Sequence, residues 1–498
     1  MSKLFQDLFI FEIANNHQGS VEHGLAIVDA MARIARTKNI KAAVKLQYRD
    51  LDTFIHPDFK SRKDVKHIPR FLDTRLEDEE FRTLQEAIRS AGLTTVTTPF
   101  DEPSVEKCVD HGVDIIKVAS CSANDWPLLE AIAHTRKPVI ASTGGLSIYE
   151  IDNLVSFFNH KKVDFALLHC VGVYPTPNNM LHLSFIERLI RRYPGVTIGY
   201  SGHEAPDNFD VVVAAVSKGA RILERHVGIP TDSVKLNSYS MTPEQSVCWV
   251  AAALRAKEIA GNGDGRTVSQ EELDSLQSLK RGVFASRKIL KGEEIRREDV
   301  FFAMPCAAGQ TTSGEFGQLR TRWVASRDYE PNAPISEHTR IDKMTEIRRI
   351  IHDVKGLLSE AHIVLAEDDQ VDLSHHYGLE KFRTTGAVIV NVVNREYCKK
   401  LVIMLPGQSH PVHRHKLKEE TFQLIWGDLQ ITLNGITQEL RRGNKILVER
   451  GTWHSFSSEG GAIFEEVSTK HVVGDSYYED EQVARLDPLE RKTVLEGW

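Results

Sequence analysis

Eight short apolar runs, separated by amphipathic stretches, occupy the first half of this 498-residue chain and restrict its fold more than any other feature. The runs cover residues 8–14, 42–47, 94–98, 115–118, 139–142, 165–170, 196–200 and 221–226. Between them apolar residues recur at helical spacing, as in Leu25, Val28, Ala32 and Ala35, and again in Phe81, Leu84, Ile88 and Ala91. That period belongs to a helix with one buried face. Gly92 and Gly112 stand where helix C-caps are expected before the next strand. Eight strand–helix units in about 250 residues is the size of a (β/α)8 barrel. A doubly wound sheet is the alternative, but no GxGxxG follows the first run. The expected fold class is α/β, with a TIM barrel over residues 1–270.

The pattern changes after residue 275. Runs at 276–279, 282–285, 288–292 and 299–303 are short, with turns between them, and read as a small β-rich unit over 275–340. Residues 344–362 read as one helix, with Ile347, Ile350, Ile351, Val354, Leu357 and Leu358 on its apolar face, linking to a third region over 363–498. There, strands are expected at 388–393, 400–405, 421–426, 429–433, 445–448 and 462–467. Gly427, Asn434, Gly435, Gly443, Gly460 and Gly461 lie in the intervening turns, which suits a jelly-roll type β-barrel.

TIM barrels place catalysis at the C-terminal ends of their strands. Here those ends are polar. Glu12 comes late in the first run, followed by Asn16 and His17, and Lys45 and Gln47 share one face of the second. Thr98 ends the third, Lys117 and Ser120 the fourth, Ser142 the fifth and His169 the sixth. Ser201 and His203 follow the seventh, while Glu224 and His226 share one face of the eighth. Any one such residue is more often a satisfied polar group than a catalyst, yet all eight strand ends carry one. Two lysines in a barrel mouth are costly unless anions bind there. With hydroxyls beside them, the fitting ligand is a small phosphate or carboxylate compound. His203 and His226 are placed like imidazole ligands of a divalent metal, with Glu12 or Glu224 as further donors.

Other ligand classes are disfavoured. Lys plus Arg number 62 against 69 Asp plus Glu, a net charge of −7, which argues against a nucleic-acid partner. No stretch approaches the roughly 18 apolar residues of a membrane helix. The N-terminus lacks the basic start and small-residue cleavage site of a signal peptide. The six cysteines are scattered and form no CxxC pair, so neither a disulfide framework nor a thiolate zinc site is expected. A cytoplasmic protein without a membrane partner is the expectation.

The runs EIANNHQGS, VKLQ, TTPFD, IKVASCSANDWPLL, ASTGG, LHCVGVYPTP, IGYSGHE and ILERH, taken in order, closely resemble the sialic acid (N-acetylneuraminate) synthase family. Members of that family condense phosphoenolpyruvate with an N-acylated hexose to make a nine-carbon 2-keto acid. The resemblance extends over residues 8–340, because GVFASRKILKGEEIRREDV is similar to the family's antifreeze-like (SAF) domain. It implies that Lys45, Thr98, Lys117, Ser120, Ser142 and Ser201 hold phosphoenolpyruvate. It further implies that His203 and His226 bind Mn2+ or Mg2+, and that Glu12, Gln47 and Tyr174 face the sugar. The SAF domain of such enzymes caps the partner subunit's barrel, which implies a domain-swapped homodimer. Two departures concern the aldose acceptor. Ala303-Met304-Pro305-Cys306 stands where the family carries the Arg of an RPG motif, and Leu236 and Asn237 stand near a usual acid, with Asn237 expected against the sugar. Both leave the reaction type intact and put the identity of the sugar in question.

The third region carries the first cupin motif with its spacing intact: Gly407, His413, His415, Glu420 and Gly427. The second runs from Gly443 through Glu449, Arg450 and Gly451 to His454, with Glu449 and Ser458 replacing the usual Pro and Asn. An HxH on one strand puts both imidazoles on one face, and Glu420 and His454 can complete a 3-His-1-Glu shell. A second divalent metal is therefore expected, although many cupins use the barrel only to bind sugar or to dimerise. KEETFQLIWGDLQITLNG, FEEVST and DSYYED resemble sugar-isomerase-like cupins, which makes Glu466 and His471 pocket residues. The leading reading is a synthase of sialic-acid-like (nonulosonic) 2-keto-3-deoxy sugar acids. The alternatives are a bifunctional enzyme whose cupin isomerises or epimerises the sugar, and a non-catalytic sugar-binding regulator. The intact lysine, serine and histidine set speaks against the last.

Overall fold

Eight parallel strands close into a barrel in sequence order: β1 (Leu8–Glu12), β2 (Lys41–Tyr48), β3 (Thr94–Pro99), β4 (Ile115–Val118), β5 (Val139–Ser142), β6 (Phe165–Cys170), β7 (Thr197–Gly202) and β8 (Ile222–His226). The structure is a computed structural model that describes residues 3–261, 265–316, 322–341, 343–366 and 369–495. It divides into two compact units, Met1–Arg266 and Thr267–Trp498.

Each barrel strand begins apolar and ends polar on its inward face. Leu8, Ile10, Ala43, Val96, Ile115, Ile140, Ala166, Leu168 and Ile222 fill the floor as one buried cluster. Two residues further along, on the same face by strand alternation, come Glu12, Lys45, Thr98, Lys117, Ser142, Cys170 and Glu224. Opposite Leu168, strand β7 contributes no side chain, because the position is Gly199. A Cβ at Gly199 would lie 2.4 Å from the Ile222 carbonyl oxygen and 2.6 Å from Leu168 Cδ2. The outward residues, Phe11, Val44, Leu46, Ile116 and Leu167 among them, pack under the helices, with Trp249 edge-on to Phe9 at 5.5 Å. Gly92 and Gly112 follow the helices Asp78–Ser90 and Glu102–Asp110 with φ of +77° and +65°, the left-handed conformation that glycine adopts at least cost. Among the described residues no helix is long and apolar enough to cross a membrane.

Next come β9 (Gly282–Ala285), β10 (Glu294–Ile295), β11 (Val300–Ala303), β12 (Arg322–Ala325) and β13 (His338–Ile341). They pair as β9–β11 and β10–β12–β13, around Val283, Ile289, Ile295, Val300, Tyr329 and Ile335. Two expected strands here are corrected. Residues 276–278 end the helix Gln270–Ser278, which starts on a Ser269 N-cap with Glu271 and Glu272 in its first turn, all favourable to a helix N-terminus. Residues 288–292 form a single bridge, Ile289 to Tyr329, and a turn.

The remaining strands are β14 (Gln370–Ser374), β15 (Ala387–Asn394), β16 (Tyr397–Met404), β17 (His413–His415), β18 (Glu420–Gly427), β19 (Leu429–Leu433), β20 (Ile436–Leu440), β21 (Lys445–Val448), β22 (His454–Ser457), β23 (Ala462–Thr469), β24 (Ser476–Tyr478) and β25 (Lys492–Leu495). They form two sheets, β21-β18-β23-β16-β15-β14-β25 and β20-β19-β22-β17-β24. Helix Lys343–Glu360 lays Ile350, Val354 and Leu358 into one cluster with Val371, Leu373, Val388, Val390 and Ile403, so it is a packed layer of this β unit.

Candidate active site and a second metal-competent cluster

Strand register assembles the barrel cluster. Glu12 lies opposite Lys45 on β2 and His226 on β8, and Ser201 lies opposite Glu224. The Lys45 ammonium contacts the Glu12 carboxylate and is 3.4 Å from Glu224 Oε1, while Lys117 Nζ lies 3.9 Å from that same oxygen. Ser201 Oγ donates to Glu224 Oε1 at 2.8 Å, and Lys45 reaches Thr98 Oγ1 at 3.4 Å. Lys117 donates to Ser142 Oγ and, at 3.2 Å, to the Val118 carbonyl. Gln47 Nε2 donates to Glu12 Oε1 at 3.5 Å, and Ser120 Oγ accepts from the Gly144 amide at 3.0 Å. Two buried cations thus face two buried carboxylates. Deleting one member would leave an uncompensated charge, at a cost of about 3–5 kcal/mol. Burial lowers the pKa of Lys117. Burial opposes charge on Lys45 too, but Glu12 and Glu224 outweigh it and hold that lysine up. Glu224 is pulled below the ordinary carboxylate range against its burial by Lys117 and Lys45.

His203 and His226 stand above this cluster, with ring centroids 5.3 Å apart. His203 Nδ1 faces the Val171 carbonyl at 3.1 Å. A carbonyl only accepts, so Nδ1 carries the proton and Nε2 keeps its lone pair. His226 Nδ1 is buried without a hydrogen-bond partner among the described residues. Burial lowers His203 to about 4 and His226 well below its ordinary value, which leaves both imidazoles neutral, the form that binds metals. An unpartnered buried nitrogen beside a free Nε2 fits a divalent cation. The Tyr174 ring lies 4.2 Å from His203, and Tyr239 lies 5.1 Å from His226 and 5.2 Å from Tyr174. The two tyrosines therefore flank the two histidines.

Of the sequence-predicted set, this places Glu12, Lys45, Gln47, Thr98, Lys117, Ser142, Tyr174, Ser201, His203 and His226 in one connected group. Ser120 adjoins it through Gly144 on the loop after β5. Among the described residues Asn237 makes no side-chain hydrogen bond to the group; its Oδ1 accepts from the Tyr239 amide at 3.1 Å and so shapes the loop that carries Tyr239. His169 is corrected outright. Leu168 and Cys170 face inward, so His169 faces out, bonded to the Leu181 carbonyl at 2.7 Å. Asn16 ties loops together through Val227 O at 2.8 Å and Ser240 Oγ at 3.0 Å. Sequence reasoning missed Tyr239, whose one signal is an aromatic in the loop after β8. It also missed the buried ion pair of Arg225 with Glu204. Arg225 Nη2 additionally donates to the Glu204 carbonyl at 2.9 Å, which pins the segment next to His203.

In the second unit, His413 lies opposite His454 on β22 and Tyr478 on β24. Among the described residues His413, His415 and His454 form a trio whose ligand atoms lie within 4.8 Å of one another. Their Nδ1 atoms face the carbonyls of Pro411, Asp475 and Thr452 at 3.0, 2.8 and 3.0 Å, so each turns an Nε2 lone pair inward. Glu420 joins them: Oε1 is 3.6 Å from His415 Nε2, and Oε2 is 3.2 Å from His454 Nε2. Glu420 Oε2 and His454 Nε2 are both buried without a hydrogen-bond partner among the described residues. Two acceptors facing each other at that distance fit a cation between them. Burial lowers His415 and holds His413 far below its ordinary value. Lys418 sits against Glu420 and donates to Glu466 Oε1 at 2.8 Å, with Lys400 3.5 Å from that oxygen. His471 is half-buried and lowered to about 4 by burial. His376, His410 and Tyr478, none of them read as site residues in the sequence, extend the imidazole row. His410 lies 4.7 Å from His413 and 4.5 Å from His376, which bonds the Tyr478 hydroxyl at 3.0 Å.

Comparison with known proteins gives a family match in each of the two units. Residues 33–264 match the NeuB family and residues 400–468 match the cupin domain. A solved structure from Chromobacterium violaceum, described as a spore coat polysaccharide biosynthesis protein E, is 47% identical, with a TM-score of 0.64 over 66% of this chain and 98% of its own. N-acetylneuraminate-9-phosphate synthase of Drosophila melanogaster is 26% identical over 62% of this chain and 90% of the relative. N,N'-diacetyllegionaminic acid synthase of Legionella pneumophila is 26% identical over 59% of this chain and 85% of the relative. On the closed barrel, the family match and the identity along nearly the whole of a solved relative, the chain belongs to the NeuB family, whose named members here are synthases of sialic-acid-type sugars, and it carries a cupin domain behind that unit.

Proposed function

We propose that the barrel condenses phosphoenolpyruvate with an N-acyl hexosamine-type or related aldose, forming a nonulosonic 2-keto-3-deoxy sugar acid and releasing phosphate. The observation that carries this reading is the buried mouth cluster, in which Lys45 and Lys117 stand among Thr98, Ser142 and Ser201. In this reading the two ammonium groups hold the phosphate and carboxylate of phosphoenolpyruvate, and the hydroxyls, with Ser120, orient them. Glu224 keeps both lysines charged and in place until the substrate arrives. Glu12, Gln47 and Tyr174 contact the acceptor. A divalent metal, Mn2+ or Mg2+, held by His203 and His226 would supply a Lewis acid for the aldehyde oxygen. The enol carbon then forms the C–C bond, water adds at C2, and phosphate departs with C–O cleavage. We read 1–270 as the synthase domain, 275–340 as a SAF domain capping a partner's barrel in a swapped homodimer, 344–362 as a helix leading on, and 363–498 as the cupin.

A second reading, in which the cupin also isomerises or epimerises a sugar at its own divalent metal, is supported by the buried Lys418–Glu466–Lys400 group beside the histidines. The test is to incubate the protein with phosphoenolpyruvate, Mn2+ and a panel of N-acyl hexoses and aldoses, recording phosphate release and product mass. A product mass equal to aldose plus pyruvate is expected for at least one acceptor. Folded protein that binds phosphoenolpyruvate yet releases phosphate with none would overturn the condensation.

A further inference from the structure

Arg49 directly follows β2 at the mouth of the barrel, two positions beyond Gln47. Its guanidinium carbon lies 3.6 Å from the ring centroid of Phe100 and 4.2 Å from that of Phe71, so two aromatic faces clamp it. Nη2 donates to Gln47 Oε1 at 3.1 Å, and Gln47 in turn reaches Glu12. Nε is buried and has no hydrogen-bond partner among the described residues. Arg49 as a whole is half-buried, and the buried lysines and arginine have carboxylates: Lys45 and Lys117 have Glu12 and Glu224, Arg225 has Glu204, Lys418 has Glu420 and Glu466, and Lys400 has Glu466. Among the described residues Arg49 enters no ion pair, and neither does Arg70, which precedes Phe71 and donates to the Asn15 carbonyl at 3.4 Å.

A guanidinium largely withdrawn from water, on which Glu12 and Asp101 act only from beyond ion-pair distance, is expensive. Stacking on aromatic rings returns only about 0.5–2 kcal/mol each. Burial lowers Arg49 to about 10, which still leaves it charged at neutral pH. The packing therefore holds a fixed, planar, two-pronged donor at the rim, the geometry that reads phosphate and carboxylate groups. Position says which molecule would carry the anion. From His226 on β8, through Glu12 on β1, to Gln47 at the end of β2, the residues follow adjacent strands and lead to Arg49. An aldose with its carbonyl toward His226, lying along Glu12 and Gln47, presents its far end to that guanidinium.

We propose that Arg49 binds an anionic group, a phosphate or a carboxylate, at the end of the acceptor aldose remote from its carbonyl, with Arg70 adding positive charge at the rim. The substrate class is then an aldose phosphate or an aldouronic acid. This assignment rests on the condensation reading, but its test does not. Alditols lack the carbonyl and cannot condense, so binding can be measured by itself. Calorimetry on the full chain with phosphoenolpyruvate present should show sorbitol 6-phosphate or gluconate binding at least about tenfold more tightly than sorbitol, and the stronger of the two names the anion. R49Q should remove that advantage, R49K should keep part of it, and R75Q, which alters a paired rim arginine, should retain it. Circular dichroism checks that each variant is folded. Equal affinity for sorbitol and both anions, or a preference that survives in folded R49Q, overturns the assignment. Phosphate release with matched neutral and anionic aldoses separates the two claims. Release with neutral aldoses only leaves the condensation standing and sinks the anion site. Arg49-dependent binding without release from any aldose supports the anion site and sinks the condensation.

Discussion

In the barrel mouth the lysines 45 and 117 stand buried against Glu12 and Glu224, whereas in the β unit three buried imidazoles surround one carboxylate, Glu420. Glu12 and Glu224 hold Lys45 up against its burial, and Glu224 also works against the burial that lowers Lys117. An incoming anion can take over that support. Imidazoles stripped of water lose their charge and keep a lone pair, which leaves them ready for a cation. The barrel thus sets a lysine–carboxylate group beneath two imidazoles, whereas the β unit gathers three imidazoles around one carboxylate, although both bury comparable polar groups. The routes of assembly differ too. The barrel cluster draws on seven of the eight strands through register and on Tyr174 in the loop after β6, while the cupin ligands sit on β17, β18 and β22 within about 40 residues of chain, the span expected of a local motif.

The strongest way to break this contrast is Lys117→Met. It removes a cation that Glu224 and Ser142 both use, leaving a buried carboxylate short of its partner. Phosphate release should fall by roughly a thousandfold or more, about 4 kcal/mol, and calorimetric affinity for phosphoenolpyruvate should fall with it. The metal content of the β unit should not change. Unaltered affinity would mean that the anion binds elsewhere in the molecule.

His415→Ala sharpens the other half. Its Nδ1 is tied to Asp475 and its Nε2 points at Glu420, so no neighbouring side chain can replace it in place. Mn2+ or Zn2+ affinity of the β unit should drop by at least about a hundredfold, beyond what losing an outer hydrogen-bond partner costs. Phosphoenolpyruvate affinity should hold. A fall in both would show that the two units are coupled.

These contrasts were unequally readable in the chain. The barrel strands could be found because β/α alternation repeats eight times, and their polar ends because strand period 2 exposes them. His169 was misread for a related reason: it lies near a strand end but on the outward parity, and only register against Leu168 reveals this. Arg49 and Tyr239 owe their positions to loops that fold back over the mouth, which periodicity does not describe. In the β unit, His413, His415, Glu420 and His454 were visible because their spacing is local. His376 was not, because it enters through β14, which pairs with β25 across more than a hundred residues, Val371 opposite Leu495. Residues 276–278 looked strand-like as a short apolar run, and the capping residues at 269–272 decided for helix.

The smallest effect expected concerns histidines beside the two sites, and it tests whether both units treat imidazoles alike. Burial lowers His17 in the barrel to about 4 and His376 in the β unit to about 3, from 6.5 when unfolded. Each folded form therefore binds fewer protons than the unfolded chain. The stability tied to each is complete above pH 6.5 and is lost as pH falls, down to about 4 for His17 and about 3 for His376. At pH 5 both are still neutral when folded and mostly protonated when unfolded. The loss there should be equal, roughly 2 kcal/mol for each, despite their different folded values. H17Q keeps an acceptor for the Gly19 amide, which His17 Nδ1 now accepts at 3.1 Å, and H376Q keeps a partner for Tyr478. Urea titrations at pH 7 and pH 5, resolved by hydrogen exchange in each unit, should show each variant losing that much less stability on acidification, in its own unit only. A variant whose acid loss matches the original chain would mean that its imidazole is already solvated enough to protonate in the folded state.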